Sequence, residues 1–180
     1  NIKKAFNSIK KGFDNSDNEI PELGKGEFLT LVEVFCHLDT VYTITGNSKK
    51  ICNSFLKFEL ERIKNREIDD ESLANSELTN YTEALRNDSP VSQKYRYDTI
   101  LDYILLNNQE LVTKATQRAF TIEQKRVIYS RDEGICGICN KLVDADDDYH
   151  IDHIIRFSDG GETKLSNGRL THALCNQQRG

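Results

Sequence analysis

Ile2, Phe6, Ile9 and Phe13 recur at helical spacing while Lys3, Lys4, Lys10 and Lys11 fall on other faces, so the chain is predicted to begin with a short amphipathic helix, ended by Gly12 and the polar run 14–17. After Pro21 and a Gly24-Lys25-Gly26 break, Phe28, Leu31, Val32, Phe35, Leu38 and Tyr42 predict a more buried helix closed near Gly46. Ile51, Phe55, Phe58, Leu60 and Ile63 predict a third, running into the charged stretch 59–70. The polar stretch 69–80 is read as a loop, then a short helix through Leu78, Tyr81 and Leu85. Asp88-Ser89-Pro90 is a stop signal. From Ser92, the positions Tyr95, Thr99, Ile100, Tyr103, Ile104 and Leu105 predict another helix that frays at Asn107-Asn108.

The texture changes near Phe120. Thr121 with Gln124 three residues on fits a capping box, and Ile122, Val127 and Ile128 give the apolar stripe of a helix to about Asp132, stopped at Gly134. Residues 149–155 are predicted as a strand, Ser158-Asp159-Gly160-Gly161 as a turn requiring positive φ, 168–172 as a second strand and Ala173 as the start of a helix. There is no internal repeat. The expected class is α+β, with a mainly helical domain over 1–119 and a small second domain over 120–180.

Cysteine spacing changes the picture of that second domain. Of five cysteines, Cys136 and Cys139 form a Cys-x-x-Cys knuckle matched by His172-x-x-Cys175, the ligand types and short spacings of structural zinc in a reducing compartment. So small a module needs the metal, because zinc binding supplies on the order of 10 kcal/mol of folding free energy. Cys36 and Cys52 are left over as core thiols, and His37 as a packing histidine inside a helix.

Charge and hydropathy narrow the class further. A formal net charge of -5 argues against nonspecific coating of nucleic acid, yet the acidic residues cluster, as at Asp144 and Asp146 to Asp148. A bound divalent ion would reverse the local field at such a centre. No apolar run spans a bilayer and no signal peptide opens the chain, so a soluble cytoplasmic protein with no membrane partner is expected. The sequence contains no methionine, which suggests a fragment of a longer chain. No feature sets an oligomeric state.

Asp152 and His153 are adjacent in the predicted strand, which sends their side chains to opposite faces. A carboxylate suits magnesium or manganese, and an imidazole of near-neutral pKa suits general-base work. His150 shares a face with Asp152 and is either an auxiliary metal or phosphate ligand or a structural residue.

Taken in order, Cys136-Gly-Ile-Cys139, His150-Ile-Asp152-His153-Ile-Ile, Gly160-Gly161-Glu-Thr, Leu165-Ser-Asn167-Gly and His172-Ala-Leu-Cys175-Asn176 resemble the HNH endonucleases of the ββα-metal, or His-Me finger, superfamily. The resemblance covers roughly 120–180 and implies a zinc-stapled ββα-metal domain that cleaves DNA by a one-metal mechanism, leaving a 3′-hydroxyl and a 5′-phosphate. It implies that His153 is the general base, that Asp152 and Asn176 hold the catalytic Mg2+ or Mn2+, and that Asn167 pins the loop orienting the base. Arg179 falls where a basic residue commonly approaches phosphate. Two positions depart from the pattern. Arg156 replaces a frequent proline and adds a phosphate contact, and Asn176, where many members have histidine, is a weaker ligand. A helical region before a C-terminal HNH unit looks similar to the rear part of restriction or phage-defence proteins, in which a nucleotide-hydrolysing domain lies upstream. The alternatives are a catalytically inactive zinc-dependent nucleic-acid-binding module and a zinc knuckle used in protein assembly.

Overall fold

A computed structural model describes residues 2–70, 72–114, 117–144 and 148–179. The chain divides into two compact units, Asn1–Asn107 and Asn108–Gly180. The first contains α1 (Ile2–Asp14), α2 (Lys25–Val41), α3 (Ser48–Asn65), α4 (Ser76–Leu85) and α5 (Pro90–Asn107). The second contains α6 (Ile122–Arg131), β1 (Tyr149–His153), β2 (Gly168–His172) and α7 (Ala173–Arg179), with single 3-10 turns at Phe157–Asp159 and Leu165–Asn167. Among the described residues this gives seven α-helices and one two-stranded sheet, an α+β fold as the sequence predicts. No helix among them is long and apolar enough to cross a membrane.

In the first unit the predicted stripes of α2, α3 and α5 are largely buried, whereas in α1 only Ile9 of its stripe is, with Ile2 and Phe6 exposed. Leu31, Val34, Phe35 and Leu38 of α2 are interior, as are Ile51, Phe55, Leu56 and Phe58 of α3 and Ile100, Leu101, Ile104 and Leu105 of α5. Cys52 is buried as expected, whereas Cys36 is only half-buried. The ring of His37 lies 6.0 Å from that of Tyr97 and 6.4 Å from that of Tyr42, a packing role. Glu59, wholly buried, accepts from Arg62 Nε at 2.7 Å, and Arg62 reaches across to Glu27 of α2 at 3.2 Å. Burial pushes the Glu59 carboxyl up to about 7 against the pull of Arg62.

Two helix starts differ from expectation. α2 begins at Lys25 and runs through Gly26, so of the three residues predicted as a break only Gly24 lies outside the helix, as its cap. α5 begins at Pro90, two residues earlier than the apolar pattern suggests. Ser89 acts as its cap: its Oγ accepts from Ser92 N–H at 3.2 Å and its carbonyl from Gln93 N–H at 2.9 Å. Proline at the first helical position lacks only an N–H that the helix leaves unpaired anyway, so this stop signal is also a start.

In the second unit β1 and β2 pair antiparallel, from Tyr149 opposite His172 to His153 opposite Gly168. The strand expected over 149–155 ends at His153, and past it Asn167 holds the chain, first through its backbone and then through its side chain. Ile154 N–H donates to Asn167 O at 2.8 Å, and Ile155 N–H to the Asn167 side chain at 2.8 Å. The Thr121–Gln124 capping box opens α6, which buries Gln124, Val127 and Ile128. Ile122, expected in that stripe, is 79% exposed at the first turn instead. Arg131 and Asp132 fasten the other end, with Arg131 donating to Leu165 O at 2.8 Å and Gly168 O at 2.7 Å, and Asp132 accepting from Leu170 N–H at 2.8 Å.

The segment before α6 is tied into this second unit. Gln109 O accepts from Ser166 N–H at 3.2 Å, Glu110 pairs with Lys164 at 2.6 Å, and Gln117 O accepts from the Thr163 hydroxyl at 2.6 Å.

Candidate metal centre and catalytic cleft

The knuckle forms because the chain folds back on itself between α6 and β1. Glu133, Gly134 and Asn140 have positive φ, Ile135 bridges Leu142, and Cys136 N–H donates to Lys141 O at 2.9 Å. Cys136 and Cys139 thereby face His172 at the end of β2 and Cys175 in the first turn of α7. One ligand atom from each of the four lies within 4.8 Å of the others. His172 Nδ1 is 3.4 Å from Cys139 Sγ and 3.8 Å from Cys175 Sγ. Its Nε2 lies 3.1 Å from Leu142 O, a carbonyl that only accepts, which puts the ring proton on Nε2 and leaves Nδ1 bare toward the sulfurs. Three thiols and one imidazole at this spacing can hold a zinc ion. Burial raises the Cys136 thiol, but the N–H groups of Cys139, His172 and Ile138 outweigh it and hold the group down to about 6. Burial, reinforced by Cys139 and Cys136, pushes Cys175 up to about 11.

His150, Asp152, His153 and Asn176 line one cleft beside the strands, with Arg118 and Lys125 on its wall. A neighbouring hollow shares Asp152, His153, Asn176 and Arg118 and adds Arg156 and Arg179. The His153 ring is buried, its centre 4.4 Å from that of the Phe120 ring and 5.9 Å from that of Phe157, tilted against both. Burial shifts its pKa below the ordinary histidine value, opposed by the Asp152 charge and aided by Arg118.

Asp152 is not a free carboxylate. Its Oδ2 accepts from Arg169 Nη2 at 3.0 Å and from Arg179 Nη1, while Oδ1 has no hydrogen-bond partner among the described residues. Arg179, expected near phosphate, also donates to His153 O and Ile154 O, each at 2.6 Å, so its guanidinium is turned inward onto the strand end. Arg156 donates to Arg179 O at 2.7 Å and remains at the rim. Asn176 Nδ2 lies 3.1 Å from His150 Nδ1, which leaves its amide oxygen without a hydrogen-bond partner among the described residues. Of the predicted acidic cluster, Asp146 and Asp147 lie outside the described residues.

Asn167 works on backbone alone. Its Oδ1 accepts from Ile155 N–H, and its Nδ2 donates to Ile155 O at 3.0 Å and Glu162 O at 2.9 Å, closing the loop after the dyad. Gly160, at φ 88°, and Gly161, where a Cβ would lie 2.0 Å from Ile155 O, let the loop fold this tightly. Asn167→Ala removes three part-buried hydrogen bonds, at about 0.5–1.5 kcal/mol for each. A fall in melting temperature of the zinc-loaded protein checks this, and an unchanged one would remove Asn167 as the clamp.

Sequence reasoning missed Thr163, Gln117, Arg118, Lys125 and Arg169. For Arg169 a signal was present: pairing the two predicted strands sets Asp152 directly opposite it. The others depend on approaches across the fold.

Compared with known families, residues 136–180 match the model described as HNH endonuclease. That segment is an HNH endonuclease domain at the C-terminal side of the chain, a class that carries nuclease or nucleic-acid-binding activity. No curated protein and no solved structure gives a match to the chain.

Proposed function

We propose that residues 108–180 form a metal-dependent DNA endonuclease unit that hydrolyses phosphodiester bonds by one-metal HNH chemistry, with the Cys136, Cys139, His172 and Cys175 site holding a structural zinc. The reading rests on one observation above the others: His153, Asp152 and Asn176 line the same cleft, outside the cysteine cluster, with the cationic side chains of Arg118 and Lys125 on its wall. Asp152 Oδ1 and the Asn176 amide oxygen are hard donors that would hold Mg2+ or Mn2+. When bound there, such an ion stabilises charge on the nonbridging and leaving 3′ oxygens. His153 takes a proton from the attacking water. His150 holds Asn176, and Asn167 holds the loop behind the base.

Arg118, Lys125 and Arg156 are the phosphate contacts in this reading, and Arg179 orders Asp152 and the strand end. Replacing Arg118 or Lys125 by Ala lowers duplex affinity and reduces the slope of log affinity against log salt by about one. Anisotropy titrations at several salt concentrations measure this, and an unaltered slope would take the residue out of the interface. A place in restriction or antiviral defence rests only on the order of helical region and nuclease domain.

A zinc-dependent nucleic-acid-binding module without catalysis is the second reading, favoured by the two guanidinium groups that compete with a cation for Asp152. Plasmid nicking by the zinc-loaded chain decides between them. Cleavage that depends on added magnesium or manganese supports the enzyme; duplex binding without cleavage in either metal supports the module.

A further inference from the structure

The hydrogen bonds around His153 give a role to Thr163, which lies 3.1 Å from its Nε2. A threonine hydroxyl has one hydrogen, and this one is committed to the Gln117 carbonyl at 2.6 Å, a group that can only accept. Toward the imidazole the hydroxyl oxygen is therefore an acceptor, and the ring must supply the proton from Nε2. A neutral imidazole carries one such proton, so Nδ1 is bare. It has no hydrogen-bond partner among the described residues.

Thr163 is itself held at both ends. It is buried, and its carbonyl accepts from Gln124 Nε2 at 3.5 Å. The Gln124 side chain is fixed in turn, because its Oε1 accepts from Thr121 N–H at 2.9 Å in the capping box of α6. The start of α6 and the segment before it thus converge on one hydroxyl behind the histidine, and both lie outside the part of the chain that matches the HNH model.

We propose that Thr163, oriented by the Gln117 carbonyl, is a positioning residue that fixes His153 as the Nε2–H tautomer, so that Nδ1 is the atom that receives the proton from water. The catalytic half rests on the nuclease reading above; the tautomer does not. Neutral His153 donates from Nε2 to Thr163, and imidazolium formed by proton uptake at Nδ1 donates through the same bond. The support behind the ring therefore needs no rearrangement as the base changes charge.

The test uses the full zinc-loaded chain with 15N-labelled histidine, in which long-range 1H–15N correlations report which ring nitrogen bears hydrogen. Signals of His153 are assigned by their loss in His153→Gln, at a pH where the ring is neutral. The expected result is a protonated Nε2 and a bare Nδ1 in the unaltered chain and in Thr163→Ser, and a mixture of tautomers in Thr163→Val, with zinc content unchanged in all. A proton on Nδ1 in the unaltered chain, or the same single tautomer in Thr163→Val, overturns the proposal. In plasmid cleavage Thr163→Val lowers kcat on the order of 10–100-fold with KM unchanged, and Thr163→Ser restores it. Equal kcat for valine and serine overturns the catalytic half. Absence of cleavage by the unaltered chain overturns that half together with the nuclease reading, whatever the tautomer.

Discussion

Cys136→Ser, or stripping of zinc by a chelator, is expected to unfold residues 108–180 while the helices of 1–107 stay folded. The second unit has two five-residue strands and short helices, too little apolar burial to hold itself, and metal binding supplies on the order of 10 kcal/mol to such a module. Cys136 is the most damaging of the four to change, because it is fully buried and its backbone is hydrogen-bonded within the knuckle. The first unit has its own core of α2, α3 and α5 residues and no share in the metal site. Backbone amide spectra recorded across a chelator titration separate the two. Loss of dispersion confined to 108–180, reversed by adding zinc, is the expected outcome. A second unit that melts at the same temperature with and without metal would show that zinc is not what holds it.

His153→Ala is expected to reduce cleavage by about 100–10,000-fold, the usual contribution of a positioned general base, with duplex affinity nearly retained. The ring is packed between Phe120 and Phe157, so its removal also costs stability. His153→Gln keeps more of that packing and serves as the companion variant, with zinc content as the check on folding. Binding that persists while cleavage disappears in both variants locates the chemistry at this residue. Equal cleavage by His153→Gln and the unaltered chain would exclude it as the base.

Much of this was legible because local pattern and tertiary burial agree. The stripe Leu31, Phe35, Leu38 faces inward as its spacing requires, and the paired ligands converge because each pair has only two residues between its members. Legibility failed where a long-range partner decided the outcome. Periodicity extends the first strand to Ile155, but the Asn167 side chain, twelve residues on, binds both the N–H and the carbonyl of Ile155 and ends the pairing there. Ile122 fits the apolar period of α6 yet sits in the first turn, where no neighbouring element covers it. Arg179 is near phosphate in the sequence pattern, whereas here it satisfies carbonyls and a carboxylate that the end of β1 leaves exposed to it. The stretch 108–119 has no periodicity, so nothing local announced which unit it joins.

The ties of that stretch move the edge of the second unit. A shortened chain beginning at Phe120 would contain every residue of the HNH pattern, yet it would lose the Gln109, Glu110 and Gln117 partners of Ser166, Lys164 and Thr163. One beginning at Asn108 keeps them. The loop that carries the glycines and Thr163 is braced from outside the recognisable motif, so the shortest piece that carries the HNH pattern is shorter than the shortest piece that carries its supports.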